Sequence, residues 1–272
     1  FASYGQGDGQ FMWPSSIAIS DSDKIYVSDE YSHKISIMTL EGEFISSFGQ
    51  LGNEDGQFDG PNGLIFDNKN QLYVVDHRNG RIQVFDESGN FIRKFSSQGN
   101  NEGQLNLPWG ITYTSDDRLY VSDWGNHRIQ EFSTDGEFIR SFGSKGEEEQ
   151  NILHPSSCAV DDLGNIYVCD WGNHKLKVFD KEGNFLCSNR GEGSLSKWAQ
   201  DFLDTNVQEK EARLKADLVF ELESFKDDPF TESSHVEKLF WCPTSISFHN
   251  DNLLIVDSSR HRIQVFNTVQ KL

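Results

Sequence analysis

Positive charge and long apolar runs are both scarce in this 272-residue sequence. Lysine and arginine total 24 against 43 aspartate and glutamate residues, which gives a formal net charge of −19. A surface this acidic argues against a site that neutralises nucleic-acid phosphates and against docking on anionic membranes. No apolar stretch approaches the ~18 residues that a membrane-spanning helix requires. The composition therefore predicts neither a nucleic-acid partner nor a membrane partner.

Cysteine is also infrequent, with four residues and no CxxC spacing. Cys158 stands at a position where other copies of the repeat described below carry isoleucine or leucine, so it reads as a small core residue. Reduced structural cysteines are favoured over a disulfide or metal set, which points weakly to a cytoplasmic setting. The sequence starts at Phe1 in the middle of a repeat, so it offers no targeting signal to interpret.

The sequence is, by contrast, rich in copies of one motif. "YVSDWGNHRIQEF" at 120–132 returns 47 residues later as "YVCDWGNHKLKVF" at 167–179. Five prolines open copies of the same pattern: Pro14, Pro61, Pro108, Pro155 and Pro243. After each proline come an apolar strand, a turn, a strand ending in Asp, a loop and a third strand; four copies add a fourth. Four short strands per ~47 residues are typical of one propeller blade.

On these residues the sequence resembles the NHL repeat, a family of β-propellers that usually have six blades. The resemblance covers residues 1–189 and 241–272 in five recognisable copies. It implies an all-β fold, a single propeller domain over 1–272 built from four-stranded blades. Some relatives are interaction modules and some bind RNA through a basic face, a property that the acidic composition here disfavours.

Two arrangements of the chain ends fit this pattern. "FASYGQGDGQF" at 1–11 matches the end of a fourth strand plus the linker to the next proline, and "RIQVFNTVQKL" stops after a third strand. Pairing the two would complete one blade and remove both sheet edges, and this closure is favoured. The alternative is a further blade upstream of Phe1, which would restore six.

Residues that repeat in every copy are predicted to be structural. An Asp at the end of the second strand is followed five positions later by a basic residue: Asp29 and Lys34, Asp76 and Arg81, Asp123 and Arg128, Asp170 and Lys175, Asp257 and Arg262. Histidine opens the third strand in four copies: His33, His127, His174 and His261. With strands about 4.8 Å apart, these histidines lie too far from the axis to share a zinc ion. We predict no metal site, no cofactor and no catalytic residue.

Candidate binding residues are those that vary within the repeated frame. One variable position follows each proline, nearest the channel, and another follows each Asp, on the same face. Together they predict an aromatic group, Trp109, Trp124 and Trp171, opposite a polar group, His77, Asn62 and Glu30. Aromatic planes beside polar groups suit a sugar, a peptide or a partner's side chain. Aromatic packing between blades is the alternative interpretation.

Residues 190–240 break the strand pattern and predict a helical insertion. "SLSKWAQDFL" spaces Leu195, Trp198 and Phe202 on one helix face, with Ser194 as N-cap. A second helix is expected from the Asn206–Glu209 capping box to a stop at Pro229. Its apolar stripe comprises Val207, Leu214, Leu218, Leu222 and Phe225. Because the insertion joins two blades on the face of the variable residues, we expect a lid or docking element that covers the three tryptophans.

These observations favour a non-catalytic propeller that binds a protein or a small ligand on the face bearing the insertion. A metal-assisted lyase or hydrolase on that face is the alternative. In a related amidating lyase, zinc-binding histidines follow the blade prolines, but the equivalent residues here are not histidines: Ser15, Asn62, Trp109, Ser156 and Thr244. Only Asn62 and Glu30 resemble the cation ligands of gluconolactonase-type propellers. The sequence does not predict an oligomeric state.

Overall fold

Five antiparallel sheets, arranged in chain order, form the blades of a propeller. The computed structural model describes residues 3–146, 148–193, 197–216 and 229–267. Two short strands come first, β1 (Ser3–Tyr4) and β2 (Gln10–Phe11). Three helices interrupt the series between the fourth and fifth blades: α1 (Lys197–Thr205), α2 (Val207–Lys215) and α3 (Pro229–His235).

Each blade begins at one of the five prolines. Blade 1 contains β3 (Pro14–Ile19), β4 (Lys24–Asp29), β5 (Lys34–Thr39) and β6 (Phe44–Phe48). Blade 2 contains β7 (Pro61–Phe66), β8 (Leu72–Asp76), β9 (Arg81–Phe85) and β10 (Phe91–Phe95). Blade 3 contains β11 (Pro108–Thr114), β12 (Arg118–Asp123), β13 (Arg128–Ser133) and β14 (Phe138–Phe142). Blade 4 contains β15 (Pro155–Val160), β16 (Ile166–Asp170), β17 (Lys175–Phe179) and β18 (Phe185–Asn189). Blade 5 contains β19 (Pro243–His249), β20 (Asn252–Asp257) and β21 (Arg262–Asn267).

The hydrophobic core lies between neighbouring blades. One cluster joins blades 2 and 3 through side chains such as Tyr73, Val84, Leu119 and Phe132, and comparable clusters join the other successive blades. In blades 1 to 4 the middle strands are buried on both faces; β8, for example, is buried along its whole length. This explains why they read as continuous runs of Val, Ile, Leu and Tyr rather than as alternating strands.

The first strands of all five blades line a central channel of about 490 Å³. Neighbouring first strands pack in the order β3, β7, β11, β15 and β19. Glycines permit this close approach: a Cβ on Gly63 would lie 2.8 Å from the carbonyl oxygen of Trp109. One end of the channel, which we call the mouth, is where the five prolines and the five strand-ending aspartates lie.

The expected pairing of residues 1–11 with the last strand is wrong for the residues that the structure describes. β1 pairs with β2 in parallel, Ser3 with Gln10 and Tyr4 with Phe11, and β21 pairs with β20. Later linkers make the same parallel contact between Leu51 and Phe58, Gln98 and Leu105, and Lys145 and Ile152. Residues 3–11 thus have the same form as the linkers that precede blades 2, 3 and 4. The described part of the chain accordingly has five blades rather than the family's usual six.

The strand-ending aspartates anchor the loops, as expected, and all five are fully buried. Asp123 accepts hydrogen bonds from Asn106 N (2.8 Å), Asn126 Nδ2 (2.9 Å), Arg128 Nε (2.8 Å) and Gln130 Nε2 (2.9 Å). Burial raises the pKa of Asp123, and these donors oppose that shift. Asp76 and Asp257 pair with Arg81 and Arg262 in the same way.

Two of the five predicted acid–base pairs are wrong. Asp170 pairs with Lys177 (3.1 Å), while Lys175 reaches Glu149 (3.0 Å). Lys177 stands two residues further along β17, on the same face of the strand, and it replaces the glutamine that approaches Asp76, Asp123 and Asp257. In blade 1, Lys34 donates to the Gln6 carbonyl, and backbone N–H groups bind Asp29 instead.

The helical insertion is present, with different boundaries from those expected. α2 ends at Lys215 because Ala216 is extended, and Pro229 begins α3 instead of only ending a helix. Asn206 caps α2 without a side-chain hydrogen bond to it. The described stripe residues Val207 and Leu214 are 59% and 77% exposed. The expectations for Ser194, Leu195, Leu218, Leu222 and Phe225 lie outside the described residues.

Within the described ranges, no helix is long and apolar enough to cross a membrane.

Candidate functional site

Three tryptophans form a continuous row at the mouth of the channel. Trp109 is the second residue of β11, and Trp124 and Trp171 each begin a 3₁₀ turn that follows a strand-ending Asp. The ring centroids of Trp109 and Trp124 are 6.2 Å apart, as are those of Trp124 and Trp171. All three side chains are partly exposed. The structure therefore brings the predicted aromatic group together on blades 3 and 4.

His154 completes this row, although the sequence analysis did not include it. Its ring stacks on Trp124 with centroids 3.9 Å apart, and its Nδ1 lies 3.2 Å from the Trp124 carbonyl oxygen. It precedes Pro155, where other blades have residues such as Gly60, Leu107 and Cys242. Variation just before the proline was the signal that could have found it. Burial lowers the pKa of His154, which favours the neutral ring.

The repeated histidines at the start of the third strand link one blade to the next. His33, His127 and His174 adopt a left-handed backbone conformation with φ of 54°, 57° and 54°. Their Nδ1 atoms accept hydrogen bonds from the backbone N–H groups of Gly60 (3.1 Å), His154 (3.2 Å) and Cys242 (3.0 Å). Only an unprotonated Nδ1 can accept such a bond. These histidines are thus interblade ties, which accounts for their repetition.

The three polar residues predicted opposite the tryptophans lie in different surroundings. His77 is buried against Trp109, with ring centroids 5.7 Å apart, so it adjoins the aromatic row. Asn62 lies on the channel wall and is 2% exposed. Glu30 pairs with Arg78, which also approaches Asp59 at 3.4 Å. Glu30 therefore belongs to an ion-paired rim between blades 1 and 2.

The described insertion touches the mouth through its last helix. α3 packs beside the 3₁₀ turn that contains Trp171. Phe230 lies 5.3 Å from the His174 ring and 6.0 Å from the Trp241 ring, measured between centroids. Arg260 lies over the Trp241 indole, with its Cζ 5.4 Å from the ring centroid. The lid over all three tryptophans stays a prediction, because the described part of its apolar stripe is exposed.

Metal ligands do not converge among the described residues, where no group of three or more His, Cys, Asp or Glu side chains could hold an ion. Two histidines lie side by side at the mouth, His127 and His154, with ring centroids 4.3 Å apart. The neutral forms of both rings are favoured by burial, which lowers the pKa of His127 to about 4. The arrangement offers aromatic faces and hydrogen-bond acceptors.

Comparison with known families identifies the repeat. The NHL repeat model matches residues 58–85, 105–132, 153–179 and 240–266, four copies of the unit whose strands and Asp-centred loops are described above. The chain belongs to the NHL-repeat β-propeller family. The match spans blades 2 to 5, and blade 1 has the same four-stranded topology.

Several solved structures share the fold at low sequence identity. A chain of a nidogen–laminin complex superposes with a TM-score of 0.64 at 15% identity over 94% of this chain and 76% of that chain. A catalytically inactive virginiamycin B lyase from Staphylococcus aureus, crystallised with quinupristin, gives 0.58 at 15% identity over 89% of this chain. This NHL propeller spans 62% of that lyase's length. No curated protein sequence matches the chain.

Proposed function

We propose that this NHL propeller is a non-catalytic binding protein whose mouth face engages a polypeptide partner. The observation that carries the proposal is the tryptophan row formed by Trp109, Trp124 and Trp171. Tryptophan is enriched among the residues that dominate binding energy at interfaces, because it buries a large rigid surface and keeps one polar N–H. NHL propellers are common protein-binding scaffolds, and one structural neighbour comes from a protein–protein complex.

Charge favours a basic partner. The formal net charge of −19 attracts cationic segments and accelerates their association. Indole faces also bind Lys and Arg side chains directly by cation–π attraction, worth about 0.5–2 kcal/mol for each contact. The chain already makes one such contact at the mouth, between Arg260 and Trp241. A basic peptide segment across the tryptophan row would therefore benefit both from the long-range attraction of the net charge and from cation–π contacts with the indole rings.

The test is selection of binders from a random peptide library on the wild-type protein, followed by titration of the selected peptides against single variants. Trp109→Ala and Trp171→Ala should each weaken binding at least tenfold, about 1.4 kcal/mol. Leu163→Ala is the control, since Leu163 is 79% exposed in the turn between β15 and β16, at the end of blade 4 away from the mouth. If the selected peptides bind all variants equally well, the mouth is not the binding face.

The competing hypothesis is a metal-assisted lyase or hydrolase on the same face. Elemental analysis after equilibration with Zn²⁺ or Ca²⁺ and gel filtration distinguishes the two. The binding proposal expects no stoichiometric metal. One tightly held ion per chain, lost in a His154→Ala or His127→Ala variant, would replace the binding proposal with the metal-assisted one.

A further inference from the structure

The outer edge of blade 5 borders a groove. Its third strand, β21, pairs with β20, and no strand in the described part of the chain pairs with its other edge. A groove of about 690 Å³ adjoins β21, lined by residues 260–266 and, from the insertion, by Glu192, Gly193, Ala199 and Glu237. In blades 1 to 4 a fourth strand pairs with the corresponding edge. The backbone N–H and C=O groups of such an edge are a template for another strand.

Blade 2 shows which strand this edge accepts, because β9 and β21 have the same five residues, Arg-Ile-Gln-Val-Phe at 81–85 and 262–266. β10 runs antiparallel to β9 in four residue pairs: Phe91 opposite Phe85, Arg93 opposite Val84, Lys94 opposite Gln83, and Phe95 opposite Ile82. Transferred to β21, this register places one aromatic residue opposite Phe266 and a second one opposite Ile263, with two basic residues between them.

Apolar surface that β10 helps to bury in blade 2 is open in blade 5. Phe95 packs in one cluster with Ile82 and Val84, and both aliphatic side chains are fully buried. Their counterparts on β21, Ile263 and Val265, are 62% and 59% exposed. An aromatic residue opposite Ile263 would remove part of this apolar surface from water.

A carboxylate six residues before the blade proline binds one position of the fourth strand. Asp55, in the linker to blade 2, pairs with Lys94, and the Asp55 Oδ1 and Lys94 Nζ atoms are 2.6 Å apart. Glu149, in the linker to blade 4, accepts a hydrogen bond from the Ser188 hydroxyl. Lys94 and Ser188 are each the fourth residue of a five-residue strand. This position therefore favours a side chain that donates to a carboxylate.

Glu237 is the equivalent carboxylate of blade 5. It stands six residues before Pro243 and lines the groove. Its side chain is half exposed and pairs with Arg213 of α2, an exposed ion pair that another cation can replace at little cost. By the register of blade 2, the residue opposite Gln264 in an added strand would meet Glu237, and a lysine there would pair with it.

We infer that the groove binds an extended segment of a partner polypeptide as the fourth strand of blade 5, antiparallel to β21 and with the pattern Phe-x-x-Lys-Phe. Backbone hydrogen bonds to the edge supply affinity, and alternate side chains supply specificity. The net charge of −19 also attracts a basic segment. A second copy of this chain fits less well, because its described fourth strands, β6, β10, β14 and β18, are each paired within their own blades.

This surface is additional to the one in the proposed function. The groove lies on blade 5, whereas the tryptophan row lies on blades 3 and 4. A partner could therefore use either surface without the other.

The experiment uses the intact chain and a synthetic peptide with the sequence of residues 89–96, GNFIRKFS, acetylated and amidated at its ends. Hydrogen exchange of the β21 backbone amides that do not bond to β20 is followed with and without the peptide. We expect exchange at these amides in the free protein and at least a tenfold slowing at saturation. Slow exchange in the free protein would overturn the inference, because another segment would already cover the edge. Binding without the slowing would overturn it as well, since strand addition must engage these amides.

A charge reversal tests the register. Glu237→Lys should weaken binding of the peptide at least fivefold, and the peptide carrying Lys94→Glu should bind this variant more tightly than it binds the wild type. Glu182→Lys is the matched control, since Glu182 is exposed in the turn between β17 and β18 and the net charge changes equally. Equal affinity of the lysine peptide for the wild type and Glu237→Lys would refute the register and, with it, the inference.

Two further measurements separate the possible sources of binding. Sedimentation of the free protein should show no dimer that the peptide dissociates; such a dimer would assign the groove to a second copy instead. Trp171→Ala should bind this peptide like the wild type, and a loss of affinity would mean that the peptide binds at the mouth. The inference and the proposed function can therefore fail independently.

Discussion

The sharpest prediction from the structure concerns Asp123, whose carboxylate anchors the loop that carries Trp124. Asp123→Ala leaves four donors without their acceptor, one of them the guanidinium of Arg128. Removing one partner of a buried ion pair costs about 3–5 kcal/mol. Arg128 keeps its bonds to the carbonyl oxygens of Asn101 (2.7 Å) and Gln104 (2.9 Å), so the lower end, about 3 kcal/mol, is expected.

The assay is thermal and urea unfolding of the wild type, Asp123→Ala and a control. At about 2–4 °C per kcal/mol for a chain of this size class, the melting temperature should fall by ~6–12 °C. Asp135→Ala is the control, since Asp135 is exposed in a turn of the same blade, and it should stay within about 0.5 kcal/mol. An Asp123→Ala protein that melts like the wild type but loses peptide binding would mean that Asp123 acts in binding and not in the fold.

Three further predictions address pH, the insertion and nucleic acid. The folded-state pKa of His127, about 4, lies below its ordinary value of about 6.5, so its contribution to stability is present above pH 6.5 and is lost as the pH falls towards 4. The melting temperature of the wild type should therefore decline between pH 6.5 and pH 4, and that of His127→Gln should decline less steeply. Equal declines in the two proteins would contradict the assignment of His127 as an interblade tie. Replacing 197–216 by a Gly-Ser linker should leave a folded propeller with a melting temperature within a few degrees of the wild type. The reasons are that loop length costs little free energy and that the described apolar side chains of α2 are exposed. A large fall in the melting temperature would instead mean that those helices contribute to the core. RNA filter binding at physiological salt should give no sub-micromolar affinity, and a tight, salt-sensitive complex would refute the argument from net charge.

The fold was predictable because residues of the repeat mark where the strands of each blade begin and end. Prolines mark the first strands, four of them at a 47-residue period, and an Asp ends each second strand, so the blades could be placed from the sequence. The choice of partner for Asp170 was not predictable, because Lys175 and Lys177 lie on one face of β17 and only three-dimensional packing decides between them. The linker at residues 3–11 was misread because its parallel contact to Phe11 involves only two residue pairs, too few to appear in a strand pattern.

The candidate site shows a similar division. The tryptophan row was recoverable because Trp109, Trp124 and Trp171 occupy variable positions whose place in the blade is fixed by the repeat. His154 was recoverable only from the variation just before the proline, and its stacking on Trp124 required the three-dimensional structure.

Scaffold and site are coupled through adjacent residues in each loop, and this coupling makes their roles separable by experiment. Asp123 and Asp170 hold the loops from inside, while the residue after each, Trp124 and Trp171, points to the mouth. A rigid loop orders the indole before the partner arrives, which reduces the entropy that binding must overcome. Alanine at a tryptophan should therefore weaken binding with little loss of stability, whereas alanine at the preceding Asp should lower stability first and binding second. A result in which both positions change binding alone would mean that the loops are ordered by the partner and not by the propeller.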